Sequence, residues 1–167
     1  EQKKKMEAAT EGTKVSVTQT ADNQLKLNVP SDISFDTGQS TIKPEMHSVL
    51  NSLAAGLMSN PDSLVTIIGY TDDTGNDAIN NPLSVNRAAS TRAYLVSQGI
   101  ASNRISIDGR GASEPVAANT SPENRAKNRR VEIFVKEPQP QQPQQELPQH
   151  QEQQQYIQQP AIQPPMY

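Results

Sequence analysis

The groups best placed to do chemistry lie in one stretch. It runs Gly69-Tyr70-Thr71-Asp72-Asp73-Thr74-Gly75, then Asn80-Asn81-Pro82-Leu83-Ser84-Val85-Asn86-Arg87-Ala88. Asp72 and Arg87 are its two poles. An Arg guanidinium is a planar fork that matches a carboxylate in bidentate fashion. A carboxylate such as Asp72 accepts from an ammonium. Asn80 and the backbone N–H groups of residues 72–75 can add hydrogen bonds. The set suits a ligand that carries both an amine and a carboxylate, as an amino-acid centre does. It equally suits a simple pairing of Asp72 with Arg87 that pins the loop to the following helix.

Other chemistries meet obstacles in the same residues. Asp72, Asp73 and Asp77 near Gly75 suggest a cation, but a calcium loop needs acids at alternate positions and a later Glu, and Thr74 and Ile79 stand where ligands would be required. No Gly-rich phosphate loop follows a strand, and Gly109-Arg110-Gly111 opens no clear helix. The chain has two His and no Cys, and no Ser sits in a strand-to-helix elbow, so an activated nucleophile is missing. His47 has no second ligand at metal spacing and reads as a surface residue. A pair of Asp residues in an open polar loop lacks the burial that would push their pKa values apart for acid–base work. We expect a binding protein, not an enzyme, with no metal and no cofactor.

The elements that position these groups are legible from periodicity. Lys14–Thr20 and Gln24–Val29 alternate, with Ala21-Asp22-Asn23-Gln24 as the turn, and read as a hairpin burying Val15, Val17, Leu25, Leu27 and Val29. Ile33–Ser40 is a polar loop with two apolar pegs, Ile33 and Phe35. A helix begins near Pro44, shows Val49, Leu50, Leu53, Leu57 and Met58 at helical spacing, and stops at Asn60-Pro61. Leu64–Ile68 is nearly all apolar, which predicts a strand covered on both faces. A second helix is expected from about Pro82 to Gln98, with Gly99 as its C-terminal cap. Strands at 104–109 and 129–135 complete the order β-β-α-β-α-β-β. The expected class is α+β: a two-layer α/β sandwich with one mixed sheet and two helices on one face.

Composition sets the limits. Residues 137–167 contain 13 Gln and 7 Pro and no Lys or Arg, and such a segment cannot bury enough surface to offset its ordering entropy. We expect it to be disordered with polyproline II character, a spacer or a docking segment for a protein partner. The three Glu of that tail account for the whole net charge of −3, which leaves the body neutral. A neutral body without a basic stripe argues against nucleic acid as partner. Residues 1–12, with Lys3-Lys4-Lys5, read as a solvated linker or fraying helix end, so the expected domain is 13–136. Opening on Glu1 rather than Met, the sequence suggests a processed or excised fragment whose anchor lies elsewhere.

Several motifs then resemble the OmpA-like domain family: the Gly69–Gly75 loop, Asn80-x-x-Leu83-Ser84-x-x-Arg87-Ala88, Gly109-x-Gly111, Glu114-x-Val116-Ala117 and Asn124-Arg125-Ala126-x-Asn128-Arg129-Arg130-Val131-Glu132. Phe35-Asp36-Thr37-Gly38 and Ile42-Lys43-Pro44 resemble that family's first loop and helix start. The likeness covers roughly residues 24–136, and the hairpin and the Gly-Tyr-Thr-Asp run look closest to outer-membrane lipoproteins of the YiaD type. The resemblance implies non-covalent binding of peptidoglycan in the periplasm, through the meso-diaminopimelate of its stem peptide, by a protein attached to the outer membrane. It gives Asp72 the amine and Arg87 the carboxylate. It places Asn80, Thr71, Asp73, Leu83, Phe35 and Asp36 around the pocket and Arg125 near its rim, with Asn128-Arg129-Arg130 tying the last loop to the sheet. Tyr70 departs from the His of many members, and Asn124 from a common Gly.

Overall fold

The computed structural model describes residues 2–137, and the expectations for the Pro/Gln tail fall outside the described residues. The elements are α1 (Gln2–Thr10), β1 (Ser16–Gln19), β2 (Leu25–Pro30), α2 (Ser31–Ser34), a 3-10 turn (Pro44–Met46) leading into α3 (His47–Ser59), β3 (Leu64–Tyr70), α4 (Asp77–Ser97), β4 (Ile105–Gly109), α5 (Pro122–Asn128) and β5 (Arg130–Lys136). They build one five-stranded mixed sheet in the order β1-β2-β5-β3-β4. The last strand, β5, lies antiparallel between β2 and β3, and β3 pairs parallel with β4 across the α4 crossover. This is the expected α+β class with the five strands in the expected succession along the chain; their order within the sheet, with β5 between β2 and β3, was not legible from periodicity.

The register explains the core. Leu27, Ile133, Ile67 and Ile107 stand side by side across four strands, as do Leu25, Val135, Val65 and Ile105. Val49, Leu50, Leu53 and Leu57 of α3 and Ala88 and Leu95 of α4 pack in the same cluster. Each fully buried Leu or Ile contributes about 1.5–3 kcal/mol.

Three expectations need correction. Residues 2–10 are not a solvated linker: they form α1, which packs on α3 and β1 and buries Met6 to 1 % exposure. Its single apolar anchor is too little to register as a periodic pattern. Second, β3 is not covered on both faces. Val65 and Ile67 point into the core, but Leu64 is 54 % exposed and Thr66 is open, because the helices cover one face only. Ile68 and Tyr70, on the open side, are buried near the connection from Arg110 to Asn128, to which Arg130 donates at Glu114 O and Asn128 O. Third, α4 starts at Asp77 and not at Pro82. Asn76 caps it by accepting from the Ile79 N–H at 3.1 Å, and Pro82 falls inside the helix. Gly99 follows the helix end with φ +106°, as a C′ glycine does.

The start of α4 lies unusually close to the sheet. Gly69 and Gly109 are paired neighbours on β3 and β4. A Cβ on Gly69 would stand 2.2 Å from Ser84 O, and one on Gly109 would stand 2.4 Å from Val85 N. The missing side chains let the helix settle there, which brings Arg87 down beside the loop that leaves β3.

Candidate functional site

A cleft of about 540 Å³ opens at the carboxyl end of β3. Asp72 reaches it from the loop after β3, and Asn80, Leu83 and Arg87 reach it from α4. Phe35, Asp36, Thr37 and Gly38 close it from the loop after α2.

The loop that carries Asp72 is tightly held. Thr71 N–H donates to Gly111 O at 2.9 Å, and Thr71 Oγ1 donates to Asp72 O at 2.9 Å. Asn80 Nδ2 donates to Asp72 O at 3.3 Å and Thr74 O at 3.0 Å, so it ties the loop to α4 and keeps only its Oδ1 available. Asp72 is buried, with 6 % of the residue exposed. Its Oδ1 accepts from Thr74 N–H at 2.8 Å, and its Oδ2 accepts from Arg129 Nη1 at 2.5 Å. Burial pushes the Asp72 carboxyl up, but the Thr74 and Arg129 hydrogen bonds outweigh it and hold the group below the usual carboxylate range.

Arg87 is 4 % exposed and pairs with no acid among the described residues. Its Nε donates to Gln39 O at 2.9 Å and its Nη2 to Asp36 O at 3.2 Å, while the guanidinium lies 4.9 Å over the Phe35 ring. Burial pushes its pKa down, yet it stays charged. Among the described residues its Nη1 donates to no acceptor and no carboxylate lies within ion-pair distance. A buried guanidinium satisfied only by carbonyls keeps most of its charge for an incoming anion. The alternative left open by the sequence, an Asp72–Arg87 pair, is not what the structure shows.

Of the expected site residues, Asp72, Arg87, Asn80, Thr71, Leu83, Phe35 and Asp36 come together around the cleft. Asp73 and Arg125 do not line it. They face each other at 3.7 Å, and Arg125 Nη2 donates to Asn119 O. Asn128 does tie the last loop down: its Oδ1 accepts from Val116 N–H at 2.8 Å and Ala117 N–H at 3.0 Å. Arg129 instead turns into the cleft and grips Asp32 through Nε and Nη2, both at 2.9 Å, besides Asp72. Asp32, Thr37, Lys43, Thr74, Ile79 and Arg129 were missed as lining residues. Thr37, Lys43, Thr74 and Arg129 each stand within one of the recognised motifs, whereas Asp32 and Ile79 carried no signal.

The OmpA family model matches residues 34–129, more than half of the chain. The chain belongs to the OmpA family. It is 41% identical over 132 residues to the probable lipoprotein YiaD of Escherichia coli, covering 79% of this chain and 60% of YiaD. It is 44% identical over 117 residues to the peptidoglycan-binding protein ArfA of Mycobacterium tuberculosis, covering 69% of this chain and 36% of ArfA. The chain therefore spans less than two thirds of these relatives. Among solved structures, the cell wall anchor of the type VI secretion system (T6SS) from Pseudomonas aeruginosa superposes with a TM-score of 0.72 at 26% identity, over 83% of this chain and 98% of that one.

Proposed function

We propose that this domain binds peptidoglycan non-covalently and holds an envelope protein to the cell wall. The ligand is the stem peptide, gripped at the free amino-acid centre of meso-diaminopimelate. One observation carries the reading. A single cleft holds a buried, ionised carboxylate, Asp72, and a buried guanidinium without an acid partner, Arg87. Those are the two charges a zwitterionic centre requires, and Arg87 has a donor left for a carboxylate. That the similar ArfA is a peptidoglycan-binding protein and the similar secretion-system protein a cell wall anchor supports the same reading. The protein would then work in the periplasm, attached to the outer membrane, as the names of its lipoprotein and outer-membrane relatives suggest.

No proton transfer is asked of either residue, since both keep one charge state at neutral pH. Recognition rests on fixed charges in a formed cleft, so little has to be ordered on binding. Co-sedimentation with insoluble peptidoglycan tests the proposal. The wild-type domain should pellet, and Asp72→Ala and Arg87→Ala should stay in solution while keeping the wild-type circular dichroism spectrum. Pelleting by both variants would remove the cleft from the account.

A further inference from the structure

The Asp72 carboxylate has partners within the protein on both oxygens. Thr74 N–H takes Oδ1, and the Arg129 guanidinium takes Oδ2. Arg129 is therefore a cation standing where a ligand ammonium would dock. It also has a second home, because Asp32 receives two of its donors at 2.9 Å each in a fork-to-fork pair. Asp32 is more exposed than Asp72, with a side chain 53% accessible against 8%. Its contact to Arg129 does not depend on Asp72.

We propose that Arg129 is a resident competitor for the ammonium subsite, and that Asp32 is the reserve partner that lets it yield. This rests on the reading of the cleft as a receptor for a zwitterionic amino-acid centre. As the ligand arrives, its ammonium takes the Asp72 oxygen. Arg129 gives up one hydrogen bond and keeps two on Asp32, so its charge is never left buried without a partner. The arrangement sets the affinity at a moderate level and discriminates against ligands with a carboxylate but no ammonium, which cannot replace Arg129. Asp32 acts on the ligand through Arg129, as a positioning residue.

The test is calorimetry on the folded domain with a γ-D-Glu-meso-diaminopimelate dipeptide acetylated on its Glu amine, and with its analogue lacking the far ammonium of diaminopimelate. Arg129→Gln removes the competitor and should tighten the dipeptide by roughly tenfold to a hundredfold, the scale of one charge-assisted hydrogen bond. It should not tighten the analogue. Asp32→Asn leaves Arg129 with Asp72 alone and should weaken the dipeptide by a similar factor. The double variant should bind like Arg129→Gln, because without Arg129 the Asp32 side chain has no further part. Weaker binding by Arg129→Gln would overturn the proposal, since Arg129 would then be holding Asp72 in place for the ligand. A double variant in which the Asp32→Asn loss persists and offsets the Arg129→Gln gain would overturn it too, by showing that Asp32 touches the ligand directly. If wild type binds neither peptide while the fold is intact, the receptor reading itself fails, a result distinct from either of these.

Discussion

Replacing Gly69 by Ala sets two physical effects against each other. Gly69 has no positive φ, so by backbone preference alone an Ala there stabilises a strand by about 0.4–1 kcal/mol. The contact opposes this. The added Cβ would stand 2.2 Å from Ser84 O, and carbon atoms in real structures stay beyond 3.0 Å. The obstacle is helix backbone, not a flexible side-chain tip, so α4 must lift by about 0.8 Å at Ser84. Overpacking of this kind costs about 1–3 kcal/mol, which exceeds the propensity gain. For a domain of this size it lowers Tm by roughly 4–10 °C. The lift occurs one helical turn before Arg87, so the guanidinium retreats from the Asp72 loop. Losing one well-placed charged hydrogen bond weakens the dipeptide about tenfold. Thermal circular dichroism and calorimetry read the two effects on one sample. A Tm equal to or above wild type, with unchanged affinity, would refute the claim that the bare Gly69–Gly109 seat positions Arg87.

Arg87→Lys keeps the charge but cannot donate to Gln39 O and Asp36 O while also forking a carboxylate, so diaminopimelate affinity should fall at least about tenfold with little change in Tm. Met6→Ala should cost about 2–5 kcal/mol in a denaturant titration, because α1 docks through that side chain; an unchanged midpoint would mean α1 adds nothing to the fold. Asp32, held low first by its Arg129 hydrogen bonds, and Asp72, held low against burial, both have depressed folded pKa values. Their contribution is complete above the unfolded carboxylate pKa of about 3.9 and is lost as pH falls through the lower folded values. Urea midpoints measured from pH 6 to pH 2 should therefore hold near pH 5 and drop below about pH 4, and Asp72→Asn should flatten part of that drop.

What the sequence showed and what it hid follow from range. The succession of strands along the chain, the core alternation of Val131, Ile133 and Val135, and the Gly99 cap are local patterns, and each stands in the structure, whereas the insertion of β5 between β2 and β3 is long-range. Asp72 and Arg87 come from adjacent elements, so the β3–α4 unit brings them together almost by connectivity. Arg129 reaches Asp72 from 57 residues away and Asp32 from 97, which no spacing rule encodes. The start of α4 was misplaced because Pro82 suits a first helical turn, while the stronger signal was the Asn76 cap. Likewise the apolar composition of β3 implies cover on both faces, yet Leu64 and Thr66 face the open side of a two-layer fold. Asp73 and Arg125 belong to the same motifs as the cleft residues, but they pair with each other outside it.

The central claim is that Asp72 and Arg87 together receive one zwitterionic centre. Amide chemical shifts of the labelled domain, followed as γ-D-Glu-meso-diaminopimelate is added, test it most directly. The account predicts that the largest shifts fall on residues 71–74, the loop that carries Asp72 and whose Thr74 N–H donates to its carboxylate, and on residues 36–39, among which the Asp36 and Gln39 carbonyls hold Arg87. Shifts confined to the open face of the sheet around Thr66 and Phe134, or a saturating shift that survives in the Asp72→Ala, Arg87→Ala double variant, would contradict it.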